Sequence, residues 1–298
     1  MRVEITHTTR LTYGVPVVEG VMDTRLGPYS DADQRWQDYE LRMTPAGAIR
    51  RYNDGFGNAA HLITLARAHA ELKIVSRGVV ETLLDDPFLL PPLLPLPLTP
   101  SELADYLSWS EAIPADPQLE ALAQPFRPSQ PDKTLESVQK LMEFVFHDFE
   151  YQKEVTSVST TVPEVLKSRT GVCQDFAHVL IGLCRAVRVP ARYVSGYIVS
   201  GRPPQSQSQS MGGMTQSQSM GDDSGPSRGG GASHAWVEAY TPTHGWRGFD
   251  PTNNLLASTH HVKMALGRDY SDVPPTRGTF RGHAEEKLAV EVNTRIVG

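Results

Sequence analysis

The chain has 298 residues, 39% of them hydrophobic, which is enough to bury a large core and long enough for two domains. A formal net charge of -6 leaves no basic excess to neutralise a phosphate backbone, so nucleic acid is not expected as a partner. The longest apolar run, Phe88 to Leu98, is too short and too proline-rich to cross a bilayer, and the first ten residues lack the apolar core of a secretory signal, so a cytoplasmic protein with no membrane partner is expected.

Residues 1–86 carry short segments rich in Val, Ile, Thr and Tyr, such as VEITHTTRLTY, VEGVMDTRL and ELKIVSRGVVETL, and predict an antiparallel β domain. The turn signal within it is Asn53 to Asn58 (NDGFGN), where Gly55 and Gly57 can supply positive φ between strands. Prolines at 87, 91, 92, 95, 97 and 100 lack an amide donor and mark residues 87–130 as a connector with short helices at 101–107 and 119–123. Residues 131–298 are then expected to form the second domain. It opens with a helix over 135–151 that places Val138, Leu141, Met142, Val145, Phe146 and Phe149 on one stripe.

The chemistry concentrates further on. In Thr170 to Val187 the apolar residues Phe176, Val179, Leu180, Leu183 and Val187 fall at helical spacing, and Gly171 lets the chain turn into that helix. Cys173 therefore sits at or next to the first helical residue, where unpaired amides and the positive dipole end favour a thiolate. The other cysteine, Cys184, lies mid-helix on the apolar side, about 16 Å along the same helix and out of disulfide reach. With two cysteines, neither a disulfide nor a cysteine-rich metal site is expected, and no cofactor is called for. Residues 201–232, polar, repetitive and glycine-rich, predict a mobile insertion between two strands that stay close in space.

A thiolate needs a basic partner, and the chain has ten histidines. His178 is turned around the helix from Cys173, and His7, His61 and His69 belong to the first domain. His244 reads as a turn residue, and His260, His261 and His283 fall in segments that the pattern does not place. His234 begins the alternating segment His234 to Tyr240, and Gly245 to Asp250 follows after a short turn, which predicts a hairpin. If Tyr240 pairs with Gly245, His234 faces Pro251; a register one residue shorter puts it opposite Asp250. Either way a carboxylate comes within reach of the imidazole. Glu238 shares the His234 face but is about 13 Å away along the strand.

Three segments, Thr170-Gly-Val-Cys173-Gln-Asp-Phe-Ala-His178, Ser233-His234-Ala-Trp236-Val-Glu and Phe249-Asp250-Pro-Thr-Asn253, resemble in order and spacing the core motifs of the transglutaminase-like superfamily. Val189 to Gly196 and the NDGFGN turn are similar to bacterial members with an amino-terminal β domain. The resemblance implies an α+β fold, with a papain-like core in which the nucleophile helix packs on an antiparallel sheet. It also implies a Cys173, His234 and Asp250 triad acting on a peptide or protein amide through a thioester. The Cys173 backbone amide is one oxyanion candidate, and Tyr151 and Gln174 are others. No acidic calcium loop is present, so calcium control is not implied. Hydrolysis by a protease or peptidase is placed ahead of amine transfer, with a non-catalytic binding module as the third reading. The sequence leaves the oligomeric state and the substrate open.

Overall fold

Alternation drives the first part of the chain into β1 (Arg2–Val17), β2 (Glu19–Thr24), β3 (Gln34–Thr44), β4 (Ala48–Asn53), β5 (Ala59–Leu65) and β6 (His69–Thr82). In β1, Val3, Ile5, His7, Thr9, Leu11 and Tyr13 are buried at every second position. The computed structural model describes residues 1–153, 155–199 and 233–298, so the insertion expected at 201–232 lies outside the described residues. Beyond the prolines come α1 (Pro100–Leu107), α2 (Pro117–Ala123), α3 (Thr134–Asp148), β7 (Glu150–Tyr151), α4 (Val162–Ser168), β8 (Thr170–Gly171) and α5 (Cys173–Ala186). They are followed by β9 (Ala191–Ile198), β10 (His234–Thr241), β11 (Gly245–Asp250), β12 (Leu255–Leu256) and β13 (His261–Gly267), and finally by β14 (Thr276–Arg281) and β15 (Glu286–Ile296).

The strands of the second domain form one sheet in the order β12-β11-β10-β9-β13, antiparallel throughout. Its Ala235, Val237, Ala239 and Phe249 side chains pack on α5, whose Phe176, Val179, Leu180 and Leu183 are fully buried. Helices α2, α3 and α4 close around α5. Gly182 permits the approach of α2, because a Cβ there would stand 2.9 Å from Leu119. The α+β architecture is therefore as the sequence predicts, and α3 buries Val138, Leu141, Met142 and Val145 as expected. Phe146 departs from the stripe and is only half-buried, lining a surface cleft instead.

The division of the chain differs from the expected 131–298 unit in its last segment. Strand β15 pairs with β1 through eleven residue pairs, from Val3↔Ile296 to Tyr13↔Glu286, and β14 pairs with β2. The first domain is thus two four-stranded sheets, β15-β1-β6-β3 and β14-β2-β5-β4, completed by the carboxyl-terminal strands. The reason is apolar: Val292 joins Val3, Ile5 and Val80 against Tyr197, Val199, Val262 and Met264, a shared core that ties the two domains together.

The NDGFGN segment is the turn between β4 and β5, with Gly57 at φ +80° supplying the left-handed residue, whereas Gly55 has no positive φ. It also does something a hairpin turn need not do. The Asn58 side chain donates to the Leu266 carbonyl (2.7 Å) and accepts from the Leu266 amide (2.8 Å), and Gln34 clasps Lys263 in the same way at 2.7 and 2.8 Å. Two side-chain amides thereby cover the outer edge of β13, which would otherwise present unpaired backbone groups. We expect Asn58→Ala, which orphans both Leu266 groups in a buried place, to cost about 2 to 4 kcal/mol in denaturant unfolding, well above an ordinary surface substitution.

The proline-rich segment is held by side chains of the β10–β11 hairpin. Tyr240 donates to the Leu96 carbonyl (2.7 Å), and the Arg247 guanidinium donates to the carbonyls of Pro87 (2.9 Å) and Leu89 (3.2 Å). No helix among the described residues is long and apolar enough to cross a membrane.

Candidate active site

Strand β8 runs parallel to β7, Tyr151 facing Gly171, and delivers the chain to α5 at Cys173. Val172 is extended at φ -114° and its N–H is taken by the Asp175 carboxylate at 2.8 Å. The Thr156 hydroxyl donates to the same oxygen at 2.6 Å. Gly171 is required here, because a Cβ at that position would lie 2.8 Å from the Asp175 Cβ. Cys173 is the first residue of the helix, as predicted, and its amide belongs to the turn that has no intrahelical acceptor. It is a half-buried free thiol. Cys184 is fully buried, and burial pushes its thiol up to about 12, so it is inert at neutral pH.

The hairpin carries the two partners, in a register that neither sequence alternative gave. Val237 pairs with Phe249 and Thr241 with Gly245, one residue longer than the Tyr240–Gly245 pairing, because Gly245 adopts φ +72° and closes a three-residue turn. His234 and Asp250 are consequently diagonal neighbours on one face rather than directly opposed. They still meet: His234 Nε2 lies 2.9 Å from Asp250 Oδ2, both side chains at zero exposure. The carboxylate can only accept, so Nε2 carries the hydrogen and Nδ1 is the nitrogen left for Cys173.

Burial disfavours a charged His234. The charge and hydrogen bond of Asp250 overcome that penalty, the neighbouring Cys173 adds to them, and the imidazole is pushed up to about 10. Among the described residues Nδ1 has no hydrogen bond of normal geometry, and Cys173 is close enough to the imidazole to help raise it. Asp250 is buried too, and His234, then His261, hold its carboxyl far below the usual range. Its oxygens are well supplied: Oδ1 accepts from the Thr252 amide (3.0 Å) and the Asn253 amide (3.3 Å), and Oδ2 also accepts from Asn253 Nδ2 (2.8 Å).

The remaining candidates separate. Tyr151 is brought beside Gly171, two residues before Cys173, with its ring edge on Phe176. It shares with Arg169 and Thr170 the wall of an open cleft of about 630 Å³. Gln174 lies next to Cys173, but its side-chain amide donates to the Val158 carbonyl at 3.3 Å and is turned to that loop. His178 is buried, accepts from the Tyr270 amide at 3.1 Å and is lowered to about 4 by burial, which makes it a neutral packing residue.

Glu238 is not a competitor for His234. It is held by the Arg192 guanidinium (2.6 and 2.8 Å) and by Lys263 (3.0 Å). Lys263 also pairs with Asp31 and Asp33, so its ammonium fills the space among three carboxylates close enough to grip a cation.

Sequence reasoning missed two neighbours of the site. Trp236 stacks on His234 (6.2 Å between centroids, 24°) and is accommodated by Gly196, where a Cβ would stand 2.4 Å from its ring. The alternation of β10 puts Trp236 on the His234 face, so that signal was present. His261 approaches Asp250 Oδ2 at 3.4 Å, and only its pairing opposite Ile198 brings it there.

Comparison with known proteins bears on the family and the fold. Residues 120–251 match the model of the transglutaminase-like superfamily, and residues 3–81 match that of the bacterial transglutaminase-like N-terminal region. An uncharacterized protein of Mycobacterium tuberculosis is 31% identical over 311 aligned residues, covering 99% of this chain and 92% of the relative. An uncharacterized protein of Mycobacterium leprae is 27% identical, covering 98% and 97%. Among solved structures, a protein of Cytophaga hutchinsonii provisionally classed as a cysteine protease superposes with a TM-score of 0.71 at 22% identity, covering all of this chain and 92% of that one. The chain belongs to the transglutaminase-like superfamily, with the amino-terminal region of its bacterial members.

Proposed function

We propose that the protein is a cysteine-nucleophile enzyme that opens amide bonds through a thioester on Cys173. The observation that carries this reading is the buried His234–Asp250 pair at 2.9 Å, with the second imidazole nitrogen left for a thiol at a helix start. Cys173 Sγ attacks the amide carbonyl carbon, and the tetrahedral oxyanion draws on the Cys173 amide at the positive helix end. Tyr151, paired with Gly171 two residues before Cys173, is the candidate for a second donor. Collapse of the intermediate breaks the C–N bond as the His234 imidazolium gives its proton to the departing nitrogen. Water then attacks the thioester, His234 takes its proton, and a carboxylic acid leaves with the thiol restored.

Hydrolysis is the primary reaction in this reading, acting on a peptide or protein substrate; a primary amine taking the place of water would give the transglutaminase outcome. Incubation with a peptide library, with and without an added amine, separates them by product mass. Free acids in both cases are expected, and amine adducts replacing them would move the assignment to amine transfer. Absence of any Cys173-dependent product would favour a binding module instead.

A further inference from the structure

We propose that His261 is a positioning residue that fixes Asp250 against the sheet and so keeps it aligned on His234. The inference rests on the reading of Cys173, His234 and Asp250 as the reacting set, but not on any substrate. Asp250 ends β11 and opens a turn. Its Thr252 and Asn253 donors come from that same turn and move with it. His261 comes from elsewhere: it begins β13, on the far side of β9 from β10, and is 7% exposed.

The hydrogen bonding fixes its ring. His261 Nδ1 accepts from the Ser258 amide at 3.4 Å, so the hydrogen sits on Nε2, which points at Asp250 Oδ2, also at 3.4 Å. Trp236 stands edge-on to the His261 ring (5.2 Å, 74°) and stacked on the His234 ring, so the two imidazoles flank one indole and converge on one carboxylate oxygen. Gly196 and Gly248 let the indole occupy that place; a Cβ at Gly248 would lie 2.4 Å from Ala257 and 3.3 Å from Trp236 Nε1. At 3.4 Å the His261 donor is long, a contact that aligns the carboxylate more than it binds it. Without His261 the turn can tilt, and the largest influence raising His234 weakens.

The test compares His261→Phe, which keeps the ring on Trp236 and removes the donor, with His261→Gln, whose amide nitrogen falls near the position of Nε2. Two measurements are needed, the His234 titration midpoint in protein labelled with 15N-histidine and the rate of Cys173 alkylation by iodoacetamide at pH 7. For the Phe variant we expect the midpoint to fall by about one unit or more and alkylation to slow about tenfold, and for the Gln variant we expect values within about threefold of the parent. A Phe variant unchanged in both, or a Gln variant that falls as far as Phe, would overturn the proposal. The unaltered protein gives a check that no folding defect can blur: the His261 nitrogen shifts should report a bare Nδ1, and a hydrogen on Nδ1 would contradict the assignment. Failure of the enzymatic reading looks different, with Cys173 of the unaltered protein reacting no faster than that of His234→Ala.

Discussion

Cys173→Ala is expected to lower kcat/KM on any amide substrate of this protein by about 10⁴-fold or more while leaving the unfolding midpoint within about 0.5 kcal/mol of the parent. The split follows from position. Cys173 is half-buried at the first turn of α5 and only borders the core, whereas the fully buried Phe176, Val179, Leu180 and Leu183 stripe beneath it holds the helix to the sheet. Cys184→Ala reverses the pattern. That side chain is fully buried in the core, so its loss costs stability and leaves the chemistry intact. Amide turnover measured beside denaturant unfolding for the two alanine variants therefore assigns each cysteine its role. Retained turnover in Cys173→Ala would remove the nucleophile from the account.

Asp250→Ala has the second large effect, on both activity and stability. It leaves His234 buried at zero side-chain exposure with no counter-charge, and also removes the acceptor for Thr252, Asn253 and His261. Breaking a buried pair from one side costs about 3 to 5 kcal/mol, and loss of the orienting carboxylate lowers turnover about 10³- to 10⁴-fold. The pH dependence has a definite sign. His234 is raised to about 10, so its share of the stability is complete below its unfolded value near 6.5 and is lost as pH climbs from there toward 10. Asp250 is depressed, so its share is present above the unfolded carboxylate value near 3.9 and is lost as pH falls through the folded value. The difference in unfolding free energy between the parent and Asp250→Ala is accordingly greatest between about pH 4 and 6.5 and shrinks toward pH 10. Urea titrations at pH 5, 7.5 and 9.5 read that trend, and a difference growing with pH would mean that His234 is not held as a cation in the fold.

Much of this site is legible in the chain because its parts are local. The offsets from Phe176 to Val187 set the helix, Gly171 sets its start, and the segment from His234 to Asp250 is a hairpin whose two ends had to meet. The register was not legible. It turns on the positive φ of Gly245 and lies two residues from the register that would oppose His234 to Asp250; residues two apart share a face, so the imidazole still reaches the carboxylate across the diagonal.

What escaped altogether depends on pairing between distant segments. His261 gains its place from β13 lying beside β9, with a register shift between Lys263 and Ala265 that no local pattern announces. The final strand shows the same limit. Leu288, Val290 and Val292 alternate like any half-buried strand, but alternation does not say which sheet receives it, and the receiver, β1, begins at the opposite end of the chain. The NDGFGN turn was read correctly as a turn, while the docking of Asn58 on Leu266 joins residues more than two hundred positions apart.

The most direct measurement is the rate at which iodoacetamide alkylates Cys173 at pH 7, followed by peptide mass in the parent and in His234→Ala. An imidazolium held by Asp250 beside a thiol at a helix start predicts modification of Cys173 about 100-fold faster in the parent than in His234→Ala, with Cys184 untouched in both. Equal rates in the two proteins would contradict the account, because they would mean that His234 does nothing for the sulfur it is placed to serve.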